Sequence, residues 1–83
     1  MTTKFTSVED ALNMGIYYAG SKQSVDSLKK LEDRTMDQFG YTFNVEVFEV
    51  INVHGSPGYL GVEKYRDGFA LWLITPEGIS QRV

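Results

Sequence analysis

Phe69-Ala70-Leu71-Trp72-Leu73-Ile74 is apolar at six consecutive positions. In a β-strand successive side chains point to opposite faces, so Phe69, Leu71 and Leu73 take one face and Ala70, Trp72 and Ile74 the other. A strand wet on one side alternates between apolar and polar residues. This one asks for cover on both sides, in a chain of 83 residues. Small domains bury a smaller fraction of their surface than large ones. The fold must therefore cover both faces of this strand or leave one of them for another chain.

The chemistry such a chain can carry is narrow. It has no Cys and one His, which excludes a disulfide framework, a thiolate zinc site and a cysteine nucleophile. Eleven acidic against eight basic residues give a net charge of −3, the wrong sign for a nucleic-acid binder. At 42% hydrophobic residues the chain is too rich in core formers to be disordered. The opening Met1-Thr2-Thr3-Lys4-Phe5 has no long apolar run behind it, so no signal peptide is expected. No apolar run approaches the roughly 20 residues of a membrane span. The expectation is a single soluble domain over 1–83, most simply cytoplasmic.

The first half reads as helical, with a first helix over about 7–19. Ser7 ahead of Glu9 and Asp10 suits a helix N-terminus, where a hydroxyl caps free N–H groups and acids meet the dipole. Val8, Ala11, Leu12, Ile16 and Ala19 form one stripe at 3.6-residue spacing, and Gly20 is a natural stop. Tyr18 flanks the stripe, Tyr17 projects nearly opposite it, and Met14 lies to one side. A second helix is expected over 24–39, with Ser24 as cap. Its apolar face is Val25, Leu28, Leu31, Thr35, Met36 and Phe39, and Gly40 ends it. Asp26–Lys30 and Lys29–Asp33 would be i,i+4 ion pairs. Glu32 falls inside the apolar arc, as an edge carboxylate reaching water.

The second half reads as strands over 41–53, 59–65, 69–75 and 79–83. Phe43, Val45 and Val47 share a parity that Phe48 and Val50 break, either through a bulge or because both faces are covered there. Arg66-Asp67-Gly68 is a hairpin signal. The expected fold is α+β: two N-terminal helices, joined by a short loop over 21–23, on one face of a three- or four-stranded antiparallel meander. The opposite face then exposes Trp72, or its counterpart on the other parity, and Phe48 and Val50 add to an apolar patch for a partner. A curled sheet, or the segment around Phe5 laid across the back, would cover it instead.

No catalytic constellation emerges. His54 and Ser56 share one turn without a third member or an oxyanion hole. Glu46 and Glu49, three apart, fall on opposite faces of a regular strand. Asp33 and Asp37 are too few oxygens for a cation site. The glycines of 54–61 lead into a strand and lack the lysine of a phosphate loop. Lys64, Tyr65 and Arg66 are balanced by Glu63 and Asp67, and the acids on the second helix repel phosphates. A non-enzymatic protein-binding module without cofactor is therefore expected, acting as an inhibitor or adaptor of the phage or mobile-element kind on a larger protein with a basic surface. Its expected partner-binding residues are Tyr17, Trp72, Tyr59 and Tyr65, with Glu46 and Glu49 supplying charge. A structural homo-oligomer, or a ligand-binding domain with a pocket between helices and sheet, are the alternatives. Direct nucleic-acid or membrane binding is not expected.

Overall fold

The computed structural model describes residues 4–38 and 40–83, and only the backbone of Gln38. One helix, α1 (Val8–Tyr18), is followed by a single 3-10 turn (Val25–Ser27) and five strands: β1 (Lys29–Gln38), β2 (Tyr41–Ile51), β3 (Pro57–Tyr65), β4 (Gly68–Ile74) and β5 (Ser80–Arg82). The strands form one antiparallel sheet in the order β1-β2-β3-β4-β5. The Phe5 segment lies on the free edge of β4 beyond β5, where Phe5 and Phe69 exchange two backbone hydrogen bonds of 2.8 Å.

The helix forms where the cap and the stripe place it. Ser7 is extended, and its Oγ accepts the Asp10 N–H at 3.1 Å. Ala11, Leu12, Gly15 and Ile16 are the buried positions. They meet Leu60 and Val62 of β3, Leu71 of β4 and Val50 of β2 in a first core, completed by Phe5. Gly15 is where helix and sheet approach most closely: a Cβ there would stand 2.6 Å from Leu60 Cδ1.

A second core fills the other face of the same sheet. It contains Met36, Phe43, Val45, Val47, Trp72 and Ile74, with Tyr59 against it. Trp72 pairs with Gly61, and Gly61 with Val47. Phe43 thus lies two strands across and four residues along from the row of Trp72. In a flat sheet those offsets are roughly 10 Å and 13 Å. The two rings instead stack with centroids 4.9 Å apart and planes 19° apart. The sheet is strongly coiled, so that the first half of β2 swings over β4. Gly61 permits this, because a Cβ there would already lie 3.3 Å from Trp72 Cβ and 3.5 Å from Val45 Cβ.

Three expectations are corrected. The fold is one helix on a five-stranded sheet, where two helices on a three- or four-stranded meander were expected. The segment 24–39 is not a helix: its cap signal yields only the 3-10 turn, and the chain then runs extended as β1. Gln38 pairs with Tyr41, so the chain reverses within two residues, and the positive φ of Gly40 (+81°) serves that hairpin rather than a helix end. Pairing along β2 satisfies a ladder of backbone groups that outweighs a weak helix propensity. Lys30 reaches Glu46 across on β2 as well as Asp33 on its own strand, and Thr35 Oγ1 donates to Asn44 Oδ1 of β2, a cross-strand contact. Phe39, expected on the helix face, lies outside the described residues. Finally, Trp72 is 0% exposed, and Phe48 and Val50 pack on the helix side. The register of β2 on β3 is unbroken, so the parity change in β2 marks strand faces covered in turn; the irregularity sits in β1, between Lys30 and Glu32.

Two substitutions probe the two cores. Gly15→Ala should destabilise the protein in a urea melt although alanine favours helix by about 1 kcal/mol, because Leu60 is enclosed and cannot give way. Trp72→Ala should cost about 3–5 kcal/mol.

Candidate functional site

Coiling the sheet brings together side chains that are remote in sequence. Glu63, on β3, shares a face with Trp72 and is only 3% exposed. Its Oε1 accepts the Trp72 indole N–H at 3.0 Å and an Arg82 guanidinium N–H at 3.0 Å. Arg82, on β5, also donates to the Tyr41 hydroxyl at the start of β2. Four rings surround the guanidinium carbon: Trp72 at 4.7 Å, Phe43 and Tyr65 at 5.7 Å, and Tyr41 at 5.9 Å from the ring centroids. Each such contact attracts the cation through the ring quadrupole, more strongly where water is excluded. Burial works against the charge of Arg82, but the Tyr41 hydroxyl and the Glu63 carboxylate outweigh it, and its pKa stands above the ordinary arginine value. Burial first, and the Glu63 carboxylate second, push the Tyr65 hydroxyl upward. In the sequence Glu63 reads as a solvated charge near a hairpin tip, and Arg82 carries no signal of its own. The available signal was the hairpin register, which puts Glu63 opposite Ala70 and Gly61 opposite Trp72.

The outer side of α1 carries a second, exposed arrangement. Tyr17 is 76% exposed, Tyr18 50% and Met14 37%. The two tyrosine rings meet edge to face, with centroids 5.7 Å apart, so each limits the freedom of the other. A depression lies to each side of the pair. One is lined by Phe5, Asp10, Asn13, Met14 and Tyr17. The other is a cavity of about 250 Å³ between the helix end and the sheet, lined by Tyr18, Ala19, Val50, Tyr59, Leu60 and Leu73 among others. The helix end is held in place by the following loop: Val53 N–H donates to the Gly20 carbonyl, and Ile51 N–H to Gln23 Oε1 at 2.7 Å.

The residues expected to bind a partner are thus distributed over different surfaces. Tyr17 is exposed on the helix, against Tyr18. Tyr59 is half-buried, between the second core and the cavity. Tyr65 and Trp72 meet around Arg82, with Trp72 enclosed. Glu46 faces the helix side of β2 and is bound by Lys30 at 3.1 Å. Glu49 takes the opposite face, in register with Lys29 and Tyr59. Tyr18 and Met14 belong with Tyr17 and were not singled out as binding residues, although helical spacing already set both off the apolar stripe. His54 is exposed, and its backbone N–H closes a turn on Asn52 Oδ1. Among the described residues no helix is long and apolar enough to cross a membrane.

The raised pKa of Tyr65 has a signed consequence. The folded protein favours the neutral phenol, so this contribution to stability is intact below the ordinary tyrosine value of 10.0. It is lost as pH rises from there through the folded pKa. Ultraviolet titration should show Tyr65 ionising above the usual tyrosine range. Glu63→Gln should move that titration partly back, since burial remains the larger cause. The same variant leaves Arg82 enclosed without its counter-charge and should destabilise the fold by about 3 kcal/mol.

No family model, curated protein or solved structure matches the chain.

Proposed function

We propose that this protein is a non-enzymatic protein-binding module whose docking surface is the outer face of α1, centred on Tyr17 and Tyr18. The tyrosine pair carries this assignment. Tyrosines are among the residues that dominate interface energetics, and they lose little conformational freedom on binding. Here the loss is smaller still, because the rings already restrain each other and the helix beneath is fixed to the sheet. Met14 extends the apolar strip with an adaptable side chain. The cavity beside Tyr18 is smaller than the roughly 300–1,000 Å³ of small-molecule sites; it suits a side chain inserted by a partner.

The partner is a protein with an apolar docking patch and a basic rim. Glu9 and Asp10 lie in the first turn of the same helix, and the net charge of −3 steers a basic surface toward it. An inhibitor or adaptor role on a larger protein fits a small acidic chain of this kind. Self-association through strand edges has less to support it. The long edge strand β1 carries a register irregularity, Lys29 and Lys30, and the Arg34–Glu32 ion pair; bulges and charges are devices that discourage edge pairing. The opposite edge is a strand of three residues.

Capture from the native host tests the assignment. The wild-type chain should retain a stoichiometric partner. Tyr17→Ala/Tyr18→Ala should lose it, with a melting temperature close to wild type, while Thr42→Ala, on an exposed part of β2, should retain it. Undiminished capture by the double variant would contradict the assignment.

A further inference from the structure

Arg82 is held as a ligand is held. Four rings and one buried carboxylate converge on a single guanidinium, a combination that recognises both the charge and the flat faces of the group. The residue supplying that guanidinium lies on the least anchored strand. β5 spans three residues and pairs only with Trp72, Leu73 and Ile74. Its side chains hold it from two sides: Arg82 enters the aromatic box, and Val83 packs on the core under the helix, with its N–H on the Leu71 carbonyl at 2.9 Å. The fit is also incomplete, since Arg82 Nε is buried without an acceptor among the described residues. The Phe5 segment occupies the β4 edge at Phe69, so the stretch of edge held by β5 has a defined length.

We propose that Tyr41, Phe43, Tyr65, Trp72 and Glu63 form an acceptor site for an arginine side chain presented on an extended protein segment, and that β5 is its resident occupant. A partner segment carrying arginine followed by an apolar residue takes the place of β5 on the β4 edge. It makes the same backbone bonds and places the two side chains on opposite faces, as strand addition requires. The carboxylate selects a cation. The flat rings favour a planar guanidinium over an ammonium, while Arg82 Nη2 alone supplies both N–H groups, to Glu63 and to Tyr41. The site is distinct from the tyrosine face of α1 and does not depend on it.

The test empties the box in the full-length chain and refills it with a small probe. Arg82→Ala should melt below wild type. Millimolar n-propylguanidinium should raise its melting temperature by about 5–10 °C and change Trp72 fluorescence, whereas neutral n-propylurea should do neither. The wild type, its box filled, should respond to neither probe. If Arg82→Ala does not fold, n-propylguanidinium should restore its far-ultraviolet circular dichroism, and Arg82→Gln, which keeps part of the stem, should show the same selective response. No response of either variant to n-propylguanidinium, or an equal response to n-propylurea, overturns the proposal. Amide exchange of the wild type tests release. The Val83 amide should exchange at least tenfold faster than the slowest amides of β3 and β4; equal protection would mean that β5 leaves only on unfolding and would also overturn it.

Discussion

Phe43 and Trp72 stack across β3, which carries Gly61 in the row of Trp72, and the rest of the molecule depends on that contact. α1 can cover one face of β3 and β4. It cannot cover the other, and the described residues form no second α-helix to do so. Coiling solves the problem without additional residues: the first half of β2, with Met36 of β1 beside it, becomes the missing layer. A side chain at residue 61 would separate Val45 from Trp72 and open the layer. The burial of Trp72, the change of buried face along β2 and the meeting of Tyr41 with Arg82 all follow from the same coil.

The coil also encloses a charge pair, which carries a cost of its own. Removing a carboxylate and a guanidinium from water costs several kcal/mol per ion, so a pair of this kind often adds little net stability. Here the desolvation is offset by the indole N–H on Glu63, the Tyr41 hydroxyl on Arg82 and the four surrounding rings. What the pair adds is direction. An apolar box would hold β5 in any register, whereas Glu63 and Tyr41 admit a single placement of Arg82. The first core, by contrast, is apolar throughout, and its close approach at Gly15 sets helix against sheet by shape alone.

Much of this architecture is legible in the sequence. The Ser7 cap and the stripe from Val8 to Ala19 locate α1 within a residue at each end, and Arg66-Asp67-Gly68 locates the β3–β4 turn. The two-sided apolar run of β4 states that both its faces need cover, and a curled sheet is one of the solutions it admits. β1 is not legible. Lys29, Lys30, Leu31, Glu32, Met36 and Gln38 favour helix locally, and a glycine with positive φ at 40 serves a helix end as well as a hairpin. Only the need of β2 for a partner decides between them, and that is a property of the sheet. The exposed site is half legible: helical spacing puts Tyr17 opposite the buried stripe, but the ordering of Tyr18 against it is a matter of side-chain packing. The arginine box is legible only at the β3–β4 hairpin, whose register sets Glu63 beside the row of Trp72; Tyr41 and Arg82 are far from it in sequence and each reads singly as a solvated surface group.

The central claim is that Trp72 is enclosed by the chain itself, with no need of a partner. It is the single tryptophan, so its fluorescence reports on this point without ambiguity. The measurement is the emission maximum and acrylamide quenching of the wild-type protein at concentrations where it is shown to be monomeric. The account predicts emission well to the blue of an indole in water and quenching far below that of the urea-unfolded chain. Emission and quenching in the monomer equal to those of the unfolded chain would show the second face to be open, and would contradict the coiled sheet on which the arginine box is built.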